Sequence, residues 1–127
     1  MKFLHSMIRT KNENESIKFY CNFLGMKLGA RIRLEDCYLQ YLTDEETNTQ
    51  IELTINDEIP TDGYKNGDAF GHFAFECDDL DEISNKIKEF GYVWDVEPFF
   101  VDEIKTRISF LSDPDGNSVE QTKMIFL

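Results

Sequence analysis

Phe70-Gly71-His72-Phe73-Ala74-Phe75-Glu76-Cys77 is the stretch on which the reading of this chain turns. Phe, Ala and Phe in a short run, opened by Gly71 and closed by Asp78-Asp79, predict a mostly buried strand over 70–77. A histidine inside such a run needs a partner, because burying an unpaired imidazole costs on the order of 1–3 kcal/mol. A hydrogen bond to backbone would satisfy it as well as a metal ion would. The other histidine of the chain, His5, stands in a matching setting, Phe3-Leu4-His5-Ser6-Met7-Ile8.

The match extends outward from both histidines. After His5 come a polar hinge, Thr10 to Asn14, a helix-like segment to Leu24, and then Gly25. After His72 come Asp78-Asp79, a helix-like segment to Phe90, and then Gly91. Further on, Gln50-Ile51-Glu52-Leu53 and Ser118-Val119-Glu120-Gln121 each place one glutamate in a strand-like run. The intervals are 52 − 5 = 47 and 120 − 72 = 48 residues. Two histidines and two glutamates in register predict a duplicated unit, with one His and one Glu from each copy.

Bulk properties narrow the partners. A chain of 127 residues is long enough for one domain with a real core. Its 41% apolar and 13% aromatic content fits a folded protein. With 13 basic and 25 acidic residues the net charge is −12, so the chain's own field repels phosphate backbones. No Lys/Arg cluster offsets that field, which argues against nucleic acid as a partner. The N-terminus lacks the apolar core of a signal peptide, and no apolar run approaches the roughly 20 residues of a membrane span. The expectation is a cytoplasmic chain with no membrane partner. Cys21, Cys37 and Cys77 are odd in number and show no CxxC spacing, so reduced thiols are expected, two of them buried.

Along the chain, residues 2–10 read as a strand and about Glu13 to Leu24 as a helix. Ile17, Tyr20 and Leu24 form its apolar stripe. Asn12 or Asn14 suits its start and Gly25 its end. Met26 to Leu34, Tyr38 to Leu42 and Gln50 to Ile55 read as strands, the last with Gln50, Glu52 and Thr54 on one face. Pro60, Gly63 and Gly67 among acidic residues mark a linker at about 57–68. The second unit repeats the order: strand 70–77, helix Leu80 to Phe90, extended chain from Tyr92 to Val96. A loop over Phe99 to Glu103 follows, then strands over 107–111 and 117–123, joined by the turn Asp113-Pro114-Asp115-Gly116. The fold class is therefore α+β, two βαβββ modules at about 1–56 and 69–127 within a single domain, 1–127.

Two imidazoles and two carboxylates fixed on strands can supply four ligands to one divalent ion. Mixed nitrogen and oxygen ligation without thiolate suits Ni, Co, Fe, Mn or Zn. The plainer reading of Glu52 and Glu120 is two solvent-facing strand residues. Their register with the histidines sets them apart from the other acidic side chains.

Read together, these residues resemble glyoxalase I (lactoylglutathione lyase), a family of the vicinal-oxygen-chelate superfamily of paired βαβββ modules. The resemblance rests on Leu4-His5-Ser6-Met7-Ile8-Arg9, on Phe19-Tyr20 with Leu24-Gly25-Met26-Lys27-Leu28, and on Ile51-Glu52-Leu53-Thr54-Ile55-Asn56. Gly71-His72-Phe73-Ala74 and Asp113-Pro114-Asp115-Gly116 followed by Glu120 complete it. It implies a metal centre of His5, Glu52, His72 and Glu120. It also implies isomerisation of the hemithioacetal of methylglyoxal and glutathione to a 2-hydroxyacyl thioester. Glu120 would be the base chiefly, with Glu52 on the opposite side of the metal.

The same resemblance places Arg9 and Asn56 on the γ-glutamyl end of glutathione. A second positive residue of some members, four before the second histidine, is Asp68 here, a like charge to the glycyl carboxylate. Lys105 and Arg107 are the candidates to take its place. The short chain resembles the compact bacterial type that prefers nickel, with cobalt or zinc as the other candidates. The resemblance implies a homodimer, the usual state of short members, with His5 and Glu52 of one subunit facing His72 and Glu120 of the partner subunit, while some relatives close the site within one chain. Rival readings are another thiol adduct as substrate, a thiol transferase or epimerase of the same superfamily, or a metal-free drug-binding module. A thiol transferase would not need Glu52, and a drug-binding module would need none of the four.

Overall fold

A computed structural model describes residues 1–123 of the 127. The last four positions of the second predicted module lie outside the described residues. The chain divides into two units, Met1–Lys65 and Asn66–Leu127.

The first unit holds β1 (His5–Arg9), α1 (Glu13–Ile17) running into a π-helical segment (Lys18–Phe23), β2 (Lys27–Arg33), β3 (Cys37–Thr43) and β4 (Gln50–Asn56). Its sheet has the order β1-β4-β3-β2, with β1 parallel to β4 and the other pairs antiparallel. The second unit holds β5 (His72–Glu76), α2 (Leu80–Phe90), β6 (Val96–Val101), β7 (Thr106–Ser112) and β8 (Ser118–Thr122). Its order, β5-β8-β7-β6 with β5 parallel to β8, repeats the first. The chain is thus α+β, built from two βαβββ modules, as the duplicated pattern predicts.

Each helix follows the first strand of its unit. α2 starts at Asp79, whose carboxylate accepts from the Asp81 backbone N–H at 2.8 Å, and ends at Gly91 with φ +77°. Leu80 and Ile87 of α2 are buried, as are Leu111 and Val119 of the second sheet. In the first unit the core is Phe19, Tyr20, Phe23, Met26, Leu42, Ile51 and Leu53. Fully burying such side chains stabilises the fold by about 1.5–3 kcal/mol each.

Several expectations need correction. Of the stripe Ile17, Tyr20, Leu24 only Tyr20 is buried; the buried face runs through Ser16, Phe19, Tyr20 and Phe23, still at helical spacing, and admits the polar Ser16 because its hydroxyl lies 2.8 Å from Thr10 Oγ1. Asn12 is the N-cap residue, but without a side-chain cap bond; its own N–H donates to Thr10 Oγ1 at 3.0 Å, an oxygen 2.8 Å from Ser16 Oγ. The loop expected at Phe99 to Glu103 is largely strand, since β6 spans Val96–Val101 and turns only at Asp102, whose carbonyl accepts from Lys105 N–H. The strand around His72 is shorter than 70–77 and lies open: His72, Ala74 and Glu76 are exposed and Phe73 and Phe75 half-buried. Among the described residues β5 sits at the margin of its sheet, paired with β8 alone. Of the three free thiols only Cys37 is buried, not two. Burial, with Asp78, Asp79 and Glu76 adding, pushes the half-buried Cys77 thiol up to about 11.

Candidate active site

The parallel strand pair of each unit carries one histidine and one glutamate. Gln50 lies beside His5 in the β1–β4 register, and Glu52, two residues further, returns to the same face. Ser118 lies beside His72 in the β5–β8 register, and Glu120 is again two residues further. The one-residue difference between the two sequence intervals falls outside the paired strands.

The side chains follow. His5 Nε2 is 2.9 Å from Glu52 Oε2, and His72 Nε2 is 3.8 Å from Glu120 Oε1. The two carboxylates are sheltered at 12% and 16% exposure, whereas the imidazoles are 31% and 42% open. Among the described residues no three His, Cys, Asp or Glu side chains form one metal-holding group. The structure therefore brings the four candidates together as two pairs, one in each unit.

This donor set fits a divalent ion. Neighbouring ligands at about 2.1 Å from one ion lie about 3.0 Å apart at right angles, close to the His5–Glu52 separation. Imidazole nitrogen with carboxylate oxygen and no thiolate is the ligation of first-row metals of intermediate softness.

Around the pairs, β3 and β7 add one ring each. Tyr41 stands opposite Glu52, and its hydroxyl donates to Glu52 Oε2 at 2.7 Å. That bond, helped by burial and the Glu52 charge, pushes the Tyr41 hydroxyl above its usual range. Phe110 stands opposite Glu120. The sequence alone did not single out Tyr41; the signal lay in the hairpin register of residues 38–42 against 50–55.

Arg9 and Asn56 each lie four residues past His5 and Glu52, so strand alternation keeps them on the same face. Arg9 is exposed at the end of β1. Asn56 is half-buried and its Nδ2 donates to the Tyr64 hydroxyl at 2.9 Å, a partner the sequence did not reveal. Lys105 and Arg107 both stand beside acids: Lys105 Nζ is 3.9 Å from Asp102, and Arg107 is 3.9 Å from Asp81. These are exposed pairs in water, of small energetic consequence, so either cation remains available to a stronger anionic partner.

A doubled βαβββ chain with a His–Glu pair at one register in each half defines a class of metal-site proteins. Residues 2–121 match the Glyoxalase/Bleomycin resistance protein/Dioxygenase superfamily, and the chain belongs to it. It is 38% identical over 125 residues to the lactoylglutathione lyase of Neisseria meningitidis serogroup A, covering 94% of this chain and 88% of that one. Among solved structures, glyoxalase I from Zea mays superposes with a TM-score of 0.83 at 34% identity, over 96% of this chain. This chain covers 44% of the maize protein, less than half its length. The trypanothione-dependent glyoxalase I of Leishmania major gives a TM-score of 0.78 at 31% identity, over 97% of this chain and 86% of that one. No described helix is long and apolar enough to cross a membrane.

Proposed function

We propose that this chain is a metal-dependent glyoxalase I, which isomerises the hemithioacetal of methylglyoxal and glutathione to S-lactoylglutathione and so detoxifies methylglyoxal. The observation that carries this reading is the His–Glu pair set at the same strand register in both units. The names of its relatives support it. His5, Glu52, His72 and Glu120 would hold the ion. A divalent cation held there would supply Lewis-acid stabilisation of the negative charge that develops on the substrate's oxygen, an effect worth several kcal/mol.

The remaining work belongs to the chain. Glu120 takes the proton from the carbon next to the carbonyl and returns it to the neighbouring carbon, so that no net proton is gained or lost. Glu52 stays in place. Arg9 and Asn56, on the same face as His5 and Glu52, hold the γ-glutamyl end, and Lys105 or Arg107 receives the glycyl carboxylate. Glutathione is the proposed thiol; the trypanothione dependence of the Leishmania relative makes a panel of thiols a useful comparison.

Nickel or cobalt is the proposed metal, and the cytoplasm the proposed compartment. The 127 residues are proposed to act as one domain in a homodimer, with His5 and Glu52 of one subunit facing His72 and Glu120 of the partner subunit. Exposed apolar side chains on β2 and β6, Leu28, Ile32, Phe99 and Phe100, support an association of this kind. The deciding experiment follows thioester absorbance from methylglyoxal and glutathione, with nickel and with EDTA. Turnover that requires the metal is expected. Metal binding without turnover would favour a thiol transferase or epimerase, and neither metal binding nor turnover a drug-binding module.

A further inference from the structure

Tyr41 faces Glu52 across the β3–β4 pair, and Phe110 faces Glu120 across β7–β8. The two rings pack alike. Tyr41 meets His5 edge-on at 5.6 Å and 76°, and Phe110 meets His72 at 5.3 Å and 75°. Both are half-buried. They differ by one hydroxyl, which donates to Glu52 Oε2 at 2.7 Å, the oxygen that lies 2.9 Å from His5 Nε2. Phe110 has no donor to offer Glu120, whose nearer oxygen is 3.8 Å from His72 Nε2.

A hydroxyl bonded to a carboxylate at this length is a charge-assisted hydrogen bond, about twice as strong as a neutral one. It fixes the carboxylate's orientation and takes up one of its lone pairs. A carboxylate that must stay as a ligand gains from such a bond. One that must swing to a carbon atom and back is hindered by it. Ring packing does not account for the hydroxyl, because phenylalanine packs the same way in the other unit.

We propose that Tyr41 is a positioning residue that ties Glu52 down as the stationary carboxylate, while Phe110 leaves Glu120 free to move. One Tyr/Phe difference then divides the labour between two glutamates that the duplicated fold makes otherwise equivalent. The proposal rests on the isomerase reading above, in which Glu120 carries the proton.

The test compares the wild-type chain, Tyr41→Phe, Phe110→Tyr and the double exchange. Both rings already fit this environment in one unit or the other, so each variant is expected to fold. Three quantities are read: nickel affinity of the apoprotein by competition with a chromophoric chelator, and the losses of kcat caused by Glu120→Gln and by Glu52→Gln in each background. Tyr41→Phe is expected to weaken nickel binding by about tenfold or more. In the double exchange, the Glu120→Gln loss shrinks by about tenfold and the Glu52→Gln loss grows. Unchanged nickel affinity in Tyr41→Phe, or an equal Glu120→Gln loss in every background, overturns the tether. Nickel binding without turnover by the wild-type chain overturns the isomerase reading alone, and the tether is then judged by the affinity change. Failure of the wild-type chain to bind any divalent metal overturns both.

Discussion

His5 Nε2 and Glu52 Oε2 stand 2.9 Å apart although 52 − 5 = 47 residues separate them along the chain. The parallel β1–β4 pair makes that contact, and the β5–β8 pair repeats its logic for His72 and Glu120. The strand register alone treats the two glutamates alike, so substitution is what tests the role of each. Glu120→Gln keeps a carbonyl oxygen for the metal but removes the base. Metal content is expected to stay at the wild-type level while kcat falls by roughly 10²–10⁴-fold, the usual worth of a positioned base. Near-normal kcat in this variant would remove the base assignment.

Removal of the metal gives the second prediction. Dialysis against EDTA is expected to abolish thioester formation, and nickel or cobalt to restore it. Because the ion binds the folded chain and not the unfolded one, a free-metal concentration of 100 times Kd adds about 2.7 kcal/mol to stability. The unfolding midpoint should therefore fall on chelation and recover with the metal. Full reactivation by zinc alone would overturn the nickel preference.

Arg9 tests the substrate end. It lies four residues past His5 on the same face and is exposed, so it can meet an anionic group without displacing core contacts. A hydrogen bond to a charged partner contributes about 1.5–3 kcal/mol, equivalent to roughly 10–100-fold in binding. Arg9→Ala is expected to raise KM for the glutathione hemithioacetal by about that factor with kcat little changed, the pattern of lost ground-state binding. Lys105→Ala and Arg107→Ala, measured beside it, address the glycyl end. A KM rise in either assigns it, and a rise in neither removes both from the site.

The parts of this architecture written into local sequence were readable from it. Turn chemistry marked Gly25, Gly91 and the Asp113–Gly116 turn, where Gly116 N–H donates to Asp113 O at 3.0 Å. The repeat itself located both histidines and both glutamates. What failed depended on tertiary detail. A stripe drawn through apolar residues picks Ile17 and Leu24, whereas the buried face runs through Phe19, Tyr20 and Phe23 and the polar Ser16, whose hydroxyl finds its partner in Thr10 outside the helix. β6 was hidden by Pro98, which is tolerated because the β6–β7 register slips between Val96 and Phe99 on a strand at the sheet margin. Tyr41 was missed because alternation assigns a residue to a face, whereas its bond to Glu52 needs the pairing across the hairpin.

The second module contains a polar side chain where the first has an apolar one. Gln121 follows Glu120 as Leu53 follows Glu52, and each stands at the centre of its sheet, Gln121 opposite Ser109 and Leu53 opposite Gln40. Gln121 is 1% exposed, and neither atom of its side-chain amide has a hydrogen-bond partner among the described residues. A buried unpaired polar group costs about 1–3 kcal/mol. Replacing it by the residue the first module already uses there removes that cost and adds apolar burial. Gln121→Leu is expected to stabilise the chain by about 1–3 kcal/mol, raising the urea midpoint with an unchanged m-value. Strand alternation directs Gln121 away from the face that carries Glu120, so the gain should come without moving the base. A lower midpoint in this variant would show that the amide is satisfied in solution and that its burial is not a cost.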